Sequence, residues 1–583
     1  MTSNPLSPLP AAPNAEGRLA AWLQDALVKA FGEQVGDTRL QVVPATDTAF
    51  GDFQCNDAMR LAKQLRLPPR AIASRIVEAL DPDGAPASAS VAGAGFINIA
   101  VSPAWLGEQL AALAAQPRTG LPDLGGGRTV IIDYSSPNVA KPMHIGHIRS
   151  TIIGNAICRL HRALGYRVIA DNHLGDWGTQ FGILIRGYRA FADPARLREA
   201  PIEELERVYV ASYNRAKEDP AWMDACRAEL VKLQQGDPDN LNQWREFIDL
   251  SLKEFNRIYA RLDVAFDLYR GESHYNDRLA GTVALLEARG LARESEGAIV
   301  VPLDDEGMPV CIVRKSDGGY NYATTDIATV QSREEEFQPD RIIYVTDERQ
   351  QLHFRQFFTV CRKLGSTTRL EHVWFGLMRL PEGTFSTRQG NVIKLEALLD
   401  EAERRALAII QGASPEMPPE QQQALARDIG IGAVKYADLS HDPQNMIVFT
   451  WDRALALDGN SGPYLQYAFA RLRSLLDKYR AVCPGRDPAA APLLLDEPIE
   501  RQLALQLLQY PATVVRAAEG CKPSFLADYL FALAQLTSSF YQRFPILKAE
   551  PAIRDSRACL CSLVARVLRE GLDLLGIATP ERI

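Results

Sequence analysis

Apolar residues recur at helical spacing in "RLAAWLQDALVKAFG", with Leu19, Trp22, Leu27 and Phe31 among them and Gly32 at the end. That period predicts an amphipathic helix. Ahead of it, residues 1–16 are rich in Pro, Ala and Asn, hold no such period and are expected to be disordered. "AMRLAKQLRLPPRAIASRIVEAL" reads as two further helices split by Pro68-Pro69, and "ASVAGAGFINIAVS" as a strand. These elements predict a small α/β unit that ends near the turn-rich "AAQPRTGLPDLGGG" at 114–127.

From Arg128 the pattern changes. "TVIIDYSS" is a short β-branched run, and "GHIRSTIIGNAICRLHRALG" has apolar residues at 148, 152, 153, 156, 157, 160 and 164; Gly165 then leads into a second strand, "YRVIAD". Strand, helix and strand predict a βαβ unit opening a parallel sheet. The sheet resumes at "RIIYVTD" (341–347), with a helix from about Gln351 and then "HVWFGLM" (372–378). Roughly 190–290 is charged and helical in pattern, an insertion between the two halves. After Leu395 almost everything reads as helix to Gly576, apart from a Pro/Ala loop at 484–498. The expected fold is therefore α/β, with a Rossmann-type doubly wound parallel sheet. The expected boundaries are a tail at 1–16, an N-terminal α/β domain at 17–120, the sheet domain at 121–395, a helical connection at 396–455 and a helical bundle at 456–583.

A chain of 583 residues exceeds what one core supports, in keeping with several domains. The formal charge of −8 argues against indiscriminate coating of nucleic acid and allows a specific RNA partner held by local basic surface. Nine cysteines without a CxxC pair, no basic start before an apolar run and no uninterrupted 18-residue apolar stretch point to a reduced, cytoplasmic protein that does not cross a membrane.

The stretch "PNVAKPMHIGHIRSTIIGNA" places His144 and His147 three apart where the first strand passes into the first helix. Three readings compete. A metal pair needs further ligands, and no nearby Cys or His stands at metal spacing. A pair of packing histidines is the bland alternative. An anion site explains more, because a helix N-terminus attracts phosphate, Gly146 lets backbone approach a ligand, and imidazole N–H groups could stabilise a pentacoordinate α-phosphate. No G-x-x-x-x-G-K-[ST] loop occurs, which excludes a P-loop NTPase.

The HIGH element resembles that of class I aminoacyl-tRNA synthetases. The run "SSPNVAKPMHIGHIRSTIIGNA" through "NHLGDWGTQFG" is similar to the arginyl-tRNA synthetases in particular, and the likeness extends over nearly the whole chain from about residue 17. It implies that His144 and His147 are catalytic and that His144, Gly146 and His147 bind ATP. The second ATP loop of such enzymes, usually K-M-S-K-S-like, corresponds to "FSTRQGNVIKL", with Ser386, Thr387 and Arg388 at the ATP; Arg388 stands where the second lysine is usual. In arginyl enzymes with a degenerate loop, a lysine just before HIGH is thought to compensate, and Lys141 occupies that place.

An arginine pocket must meet a planar cation with five donors, and carboxylates accept it in paired hydrogen bonds. Asp133 ends the first strand at the ligand-binding edge of such sheets. Asp326 lies four residues after Tyr322, on the same helical face, although it could instead cap that helix. The resemblance implies an arginine-binding set of Asp133, Ser135, Asn138, His147, Tyr322, Asp326 and Gln350. In it Asn138 holds the amino-acid end and Asp326 the guanidinium, with His353 beside them.

By the same resemblance the N-terminal unit grips the D-loop corner of tRNA, with Phe96 and Asn98 as candidate contacts. The C-terminal helices match a DALR-type anticodon-binding bundle in which Tyr464, Tyr467 and Phe469 could stack bases, although most such aromatics are core. Together these features imply an arginine–tRNA ligase that uses ATP with Mg2+ and no zinc. Its partners are arginine and tRNA(Arg), it is a monomer, and it needs bound tRNA for activation. The alternatives are a non-catalytic tRNA-binding paralogue, a class I synthetase for another amino acid such as cysteine, and a small-molecule adenylyltransferase.

Overall fold

The computed structural model describes residues 15–45, 50–81, 86–379 and 394–583. The N-terminal unit sets α1 (Ala15–Phe31), α2 (Ala58–Leu65) and α3 (Pro69–Glu78) against an antiparallel sheet. Its strands are β1 (Val43–Pro44), β2 (Phe53–Cys55), β3 (Ala87–Ala92) and β4 (Phe96–Val101), in the order β1-β2-β4-β3. Helix α1 already includes Ala15 and Glu16, which composition had assigned to the tail.

The single strand expected in "ASVAGAGFINIAVS" is a hairpin. Gly93 and Gly95 take φ of +53° and +139°, and a Cβ on Gly95 would lie 2.8 Å from the Pro69 backbone, so the chain turns there and packs close against α3. α4 (Pro103–Ala115) follows, started by Ser102, whose hydroxyl accepts from the Trp105 N–H at 3.1 Å.

The central domain is built on five parallel strands: β5 (Thr129–Tyr134), β6 (Arg167–Asn172), β7 (Leu268–Tyr269), β11 (Arg341–Asp347) and β12 (Arg369–Phe375), in the order β12-β11-β5-β6-β7. Every residue of β5 is buried, the mark of a central strand covered on both faces. α5 (Ile145–Ala163) crosses from β5 to β6. The expected helical insertion holds α6 (Thr179–Phe191), α7 (Pro194–Glu199), α8 (Pro201–Glu218), α9 (Pro220–Gln234), α10 (Pro238–Arg261) and α11 (Leu279–Ala288). It is not purely helical, because β7 returns from it to the sheet edge; two residues are too few to leave an alternation in the sequence. An antiparallel trio, β8 (Arg293–Ser295), β9 (Ala298–Val301) and β10 (Cys311–Arg314), precedes α12 (Tyr322–Phe337). α13 (Gln351–Lys363) joins β11 to β12, and β13 (Met378–Arg379) follows.

Beyond residue 394 come α14 (Leu395–Ala413), α15 (Pro419–Leu439), a short β14 (Ile447–Val448) paired with β13, and α16 (Trp451–Ala454). The bundle comprises α17 (Gly462–Val482), α18 (Pro498–Leu508), α19 (Tyr510–Glu519), α20 (Ser524–Arg543) and α21 (Pro551–Leu574). Among the described residues no helix is long and apolar enough to cross a membrane.

Two junctions bind these parts together. The N-terminal unit docks on the bundle: Arg501 of α18 pairs with Asp52 and donates to the Val101 carbonyl, and Arg566 of α21 donates to the Ala114 carbonyl at 2.7 Å. At the far end of α5, Arg159 pairs with Asp263 at 2.5 Å and Asp573 at 3.1 Å, just beyond α10 and at the end of α21. Beside it the buried Lys435 of α15 donates to the carbonyls of Leu262 (2.6 Å) and Gly576 (2.5 Å). Two helices from different domains thus aim their negative C-terminal ends at one place, where the Arg159 cation and the Lys435 hydrogen bonds hold them.

Candidate active site

The loop from β5 to α5 is strained. Ser135, Ser136 and Ala140 take φ of +74°, +49° and +62°, left-handed values that cost non-glycine residues of order 1–3 kcal/mol each. Surrounding side chains hold it: the Ser135 N–H donates to Ser150 Oγ (2.8 Å), the Ser136 N–H to Asn172 Oδ1 (3.1 Å), and the Ala140 N–H to Ser251 Oγ (2.9 Å). The Ser135 hydroxyl is itself buried, 2.8 Å from both Thr151 Oγ1 and the Tyr259 hydroxyl. It therefore braces the loop that carries the site.

His144 and His147 cap α5 reciprocally. Nδ1 of His144 accepts from the Gly146 N–H at 3.0 Å, and Nδ1 of His147 accepts from the His144 N–H at 3.1 Å. Their rings lie 3.9 Å apart. A ring that accepts through Nδ1 while neutral must hold its proton on Nε2, so each imidazole keeps an outward N–H donor. Burial keeps both neutral. It lowers the His147 pKa to about 3, with His144 adding to the effect, and it lowers that of His144, with Lys141 adding. Gly146 is required here by the His144 ring, which a Cβ would meet at 2.8 Å.

The "RST" that follows is a clamp. Arg149, fully buried, pairs with Asp438 of α15 and donates to the carbonyls of Gly376 (2.6 Å) and Asn445 (3.1 Å). Ser150 Oγ donates to the Val345 carbonyl of β11 at 2.6 Å, and Thr151 Oγ1 to the His147 carbonyl at 2.7 Å. Because Ser150 Oγ also accepts from the Ser135 N–H just after β5, it ties α5 to both halves of the sheet.

Carboxylates gather at the same edge. Asp176 lies just after β6, Glu272 just after β7 and Asp326 in α12. Burial pushes the Glu272 carboxyl up to about 8, with Asp176 and then Asp326 adding to the effect. Sequence analysis missed Glu272, for nothing in "RGESHY" marks it; only the fold brings it to its two acidic neighbours. Asp326 does not cap its helix, since Asn321 fills that role. Its Oδ2 lies 2.5 Å from Nε2 of His353, the residue expected beside it. Asp133 is buried, and its Oδ2 accepts from Arg333 at 2.6 Å, the same guanidinium reaching Asp171 at 2.8 Å.

Asn138 is exposed, on a stretch that bridges to Gly175, and Gln350 is exposed on the turn after β11. Tyr322 is 68% exposed at the start of α12. Lys141 holds its ammonium 5.0 Å over the ring of Tyr209. Ser386, Thr387 and Arg388 lie outside the described residues. In the N-terminal unit Phe96 is half-buried, whereas Asn98 is only 8% exposed and accepts from Gln54 at 2.8 Å, which leaves it little surface for RNA. Tyr467 of α17 is exposed, Tyr464 is half-buried with its ring 5.8 Å from Phe531, and Phe469 is core.

Two neutral imidazole donors at a helix N-terminus suit developing negative charge on a phosphate. An acidic cluster on the same edge suits a cation. Comparison with known proteins agrees in all three parts of the chain. Residues 109–451 match the family described as tRNA synthetases class I (R), catalytic domain; residues 17–101 the arginyl tRNA synthetase N terminal domain; and residues 465–583 the DALR anticodon binding domain. The arginine–tRNA ligase of Fusobacterium nucleatum subsp. nucleatum is 45% identical, over 92% of this chain and 94% of the relative. That of Laribacter hongkongensis is 42% identical, over 97% and 99%. The arginyl-tRNA synthetase structures from Plasmodium falciparum and Thermus thermophilus superpose with TM-scores of 0.82 and 0.80, each at 27% identity and over 97% of this chain; the match takes in 98% and 100% of those chains.

Proposed function

Because this chain belongs to the arginyl-tRNA synthetases, we propose that it is an arginine–tRNA ligase whose two steps run on the paired histidines and the acidic cluster. Arginine's carboxylate attacks the α-phosphate of ATP, giving arginyl-adenylate and releasing pyrophosphate. A ribose hydroxyl of the terminal adenosine of tRNA(Arg) then attacks the arginyl carbonyl, and AMP leaves. The observation behind this assignment is the HIGH pair, neutral and donor-outward. Nε2–H of His144 and of His147 stabilise charge on the pentacoordinate α-phosphate, a role in which neutral donors need no proton exchange. Lys141 reaches the phosphates when it leaves Tyr209, and Ser386, Thr387 and Arg388 bind the nucleotide as the family resemblance implies.

Asp326 accepts the guanidinium, held in place by His353, with Glu272 as a second acceptor that ionises as the cation arrives. Asn138 and Gln350 take the amino-acid end, and Tyr322 covers the pocket. Mg2+ arrives as the counter-ion of the ATP phosphates. The N-terminal unit and the bundle bind the tRNA, with Phe96, Tyr464 and Tyr467 as candidate contacts; arginine activation waits for that binding, and the enzyme acts as a cytoplasmic monomer.

Aminoacylation with total tRNA and each amino acid in turn tests the assignment: arginine alone should be charged, and another amino acid charged in its place would defeat it. Pyrophosphate exchange should appear only when tRNA is added. An absence of exchange under both conditions would instead favour a non-catalytic tRNA-binding protein.

A further inference from the structure

Running outward from Lys141 along α8, four side chains form a column. The rings of Tyr209 and Tyr213 lie within 10° of parallel, their centroids 5.9 Å apart. Lys141 Nζ sits 5.0 Å over Tyr209 at one end, and Lys217 Nζ 4.4 Å over Tyr213 at the other. Tyr213 and Lys217 are exposed, and Tyr209 is half-buried. Residues 209, 213 and 217 are four apart, so the helical repeat aligns them. The repeat does not explain where the column begins. Lys141 stands three residues before His144, and at the start of α8 Glu203 pairs at 2.9 Å with Lys394, which bridges to His144. This face of α8 therefore starts at the phosphate end of the site and leads out to solvent.

Flat aromatic faces interleaved with ammonium groups match a ligand of flat rings interleaved with negative charges, which is a single-stranded nucleic acid. We propose that this column is the platform on which the unpaired 3′ strand of tRNA lies as its terminal adenosine enters the site, an inference that rests on the function proposed above. One base takes the place of the Lys217 ammonium over Tyr213, and the displaced ammonium meets the neighbouring phosphate. Lys217 thus protects the ring from water until the strand arrives. Stacking on a ring face needs no particular base, so the platform places the strand without reading it.

The test compares binding of the tRNA charged by the wild type with binding of the same tRNA shortened by its last three nucleotides. Tyr213→Ala should weaken the intact RNA by about tenfold and leave the shortened one unchanged. Tyr213→Phe, which keeps the ring, should bind like wild type, and both variants should keep the wild-type KM for arginine and ATP. Lys217→Ala should weaken only the intact RNA and reduce its salt dependence by about one phosphate contact. Equal weakening of both RNAs in Tyr213→Ala and Lys217→Ala would overturn the proposal, as would no weakening of either. A wild-type protein that charges no tRNA with arginine defeats the function itself; normal charging with indifferent variants defeats only the platform.

Discussion

His147 is a histidine that its surroundings keep from titrating at neutral pH. With a pKa near 3 in the fold against 6.5 when free, it takes no proton where the unfolded chain would, so stability should fall as pH drops from 6.5 towards 3. The rate of adenylate formation should show no ionisation of His147 between pH 6 and 8, measured by single-turnover exchange in the presence of tRNA. His144→Asn or His147→Asn should fold normally and lose roughly 2–4 kcal/mol of transition-state stabilisation; unchanged turnover in both would remove them from the chemistry. Glu272 behaves oppositely. Raised to about 8, it is largely protonated at pH 7, and an arriving guanidinium would expel that proton. Arginine binding should therefore tighten from pH 6 to 8 and release protons, which calorimetry in buffers of different ionisation enthalpy would detect; Glu272→Gln should abolish both effects. At Asp326 the charge itself is at stake. Asp326→Asn should cut kcat/KM for arginine by about 10²–10³-fold and narrow its lead over neutral citrulline, since losing one partner of a buried pair costs about 3–5 kcal/mol. If both values survive the substitution, the guanidinium is held elsewhere. Asp326 was singled out by the family resemblance, with Tyr322 one helical turn before it. Glu272 was not, because its partners Asp176 and Asp326 lie far away in the chain.

Among the elements, α5 packs tightly on the sheet at Gly154. A Cβ on Gly154 would lie 2.3 Å from the Tyr134 ring, so Gly154→Ala should force α5 off β5 and prevent stable folding, read by thermal unfolding. Arg149→Met would leave Asp438 buried without a partner and should cost about 3–5 kcal/mol; a wild-type melting temperature would show that this clamp is dispensable. The strand–helix–strand signal for β5, α5 and β6 was plain because their apolar runs are long and Gly165 punctuates them. β7, the β8–β10 trio and the β3–β4 turn were not, since two- to four-residue strands leave no period and a glycine-rich hairpin can pass for one strand. The histidine cap was half legible: the sequence placed the rings at a helix start, but only the coordinates reveal that each uses its Nδ1 on backbone.

For the molecule as a whole, the domains hold one another through ion pairs and hydrogen bonds to backbone carbonyls. Burial lowers the Lys435 pKa from 10.5 to about 7, with the nearby Arg159 adding to the effect. Between those values the unfolded chain binds a proton that the folded one does not, so this group makes stability rise with pH from about 7 to 10.5. Lys435→Met should remove that slope from the pH dependence of chemical denaturation. Deleting residues 1–115 would weaken tRNA binding, and it would also strip Asp52 and α4 from the bundle; Asp52→Asn is the gentler probe of that docking, expected to loosen the N-terminal unit to proteolysis while pyrophosphate exchange with tRNA persists. Helix α5 has a place in all of this. Near its start Arg149 holds it to α15 and Ser150 to the sheet, and towards its end Arg159 holds it to α10 and α21. A rod about 28 Å long, pinned near both ends, has no route to open alone. Its mid-helix amide protons should be among the last in the protein to exchange with heavy water, leaving only as fast as the whole molecule unfolds.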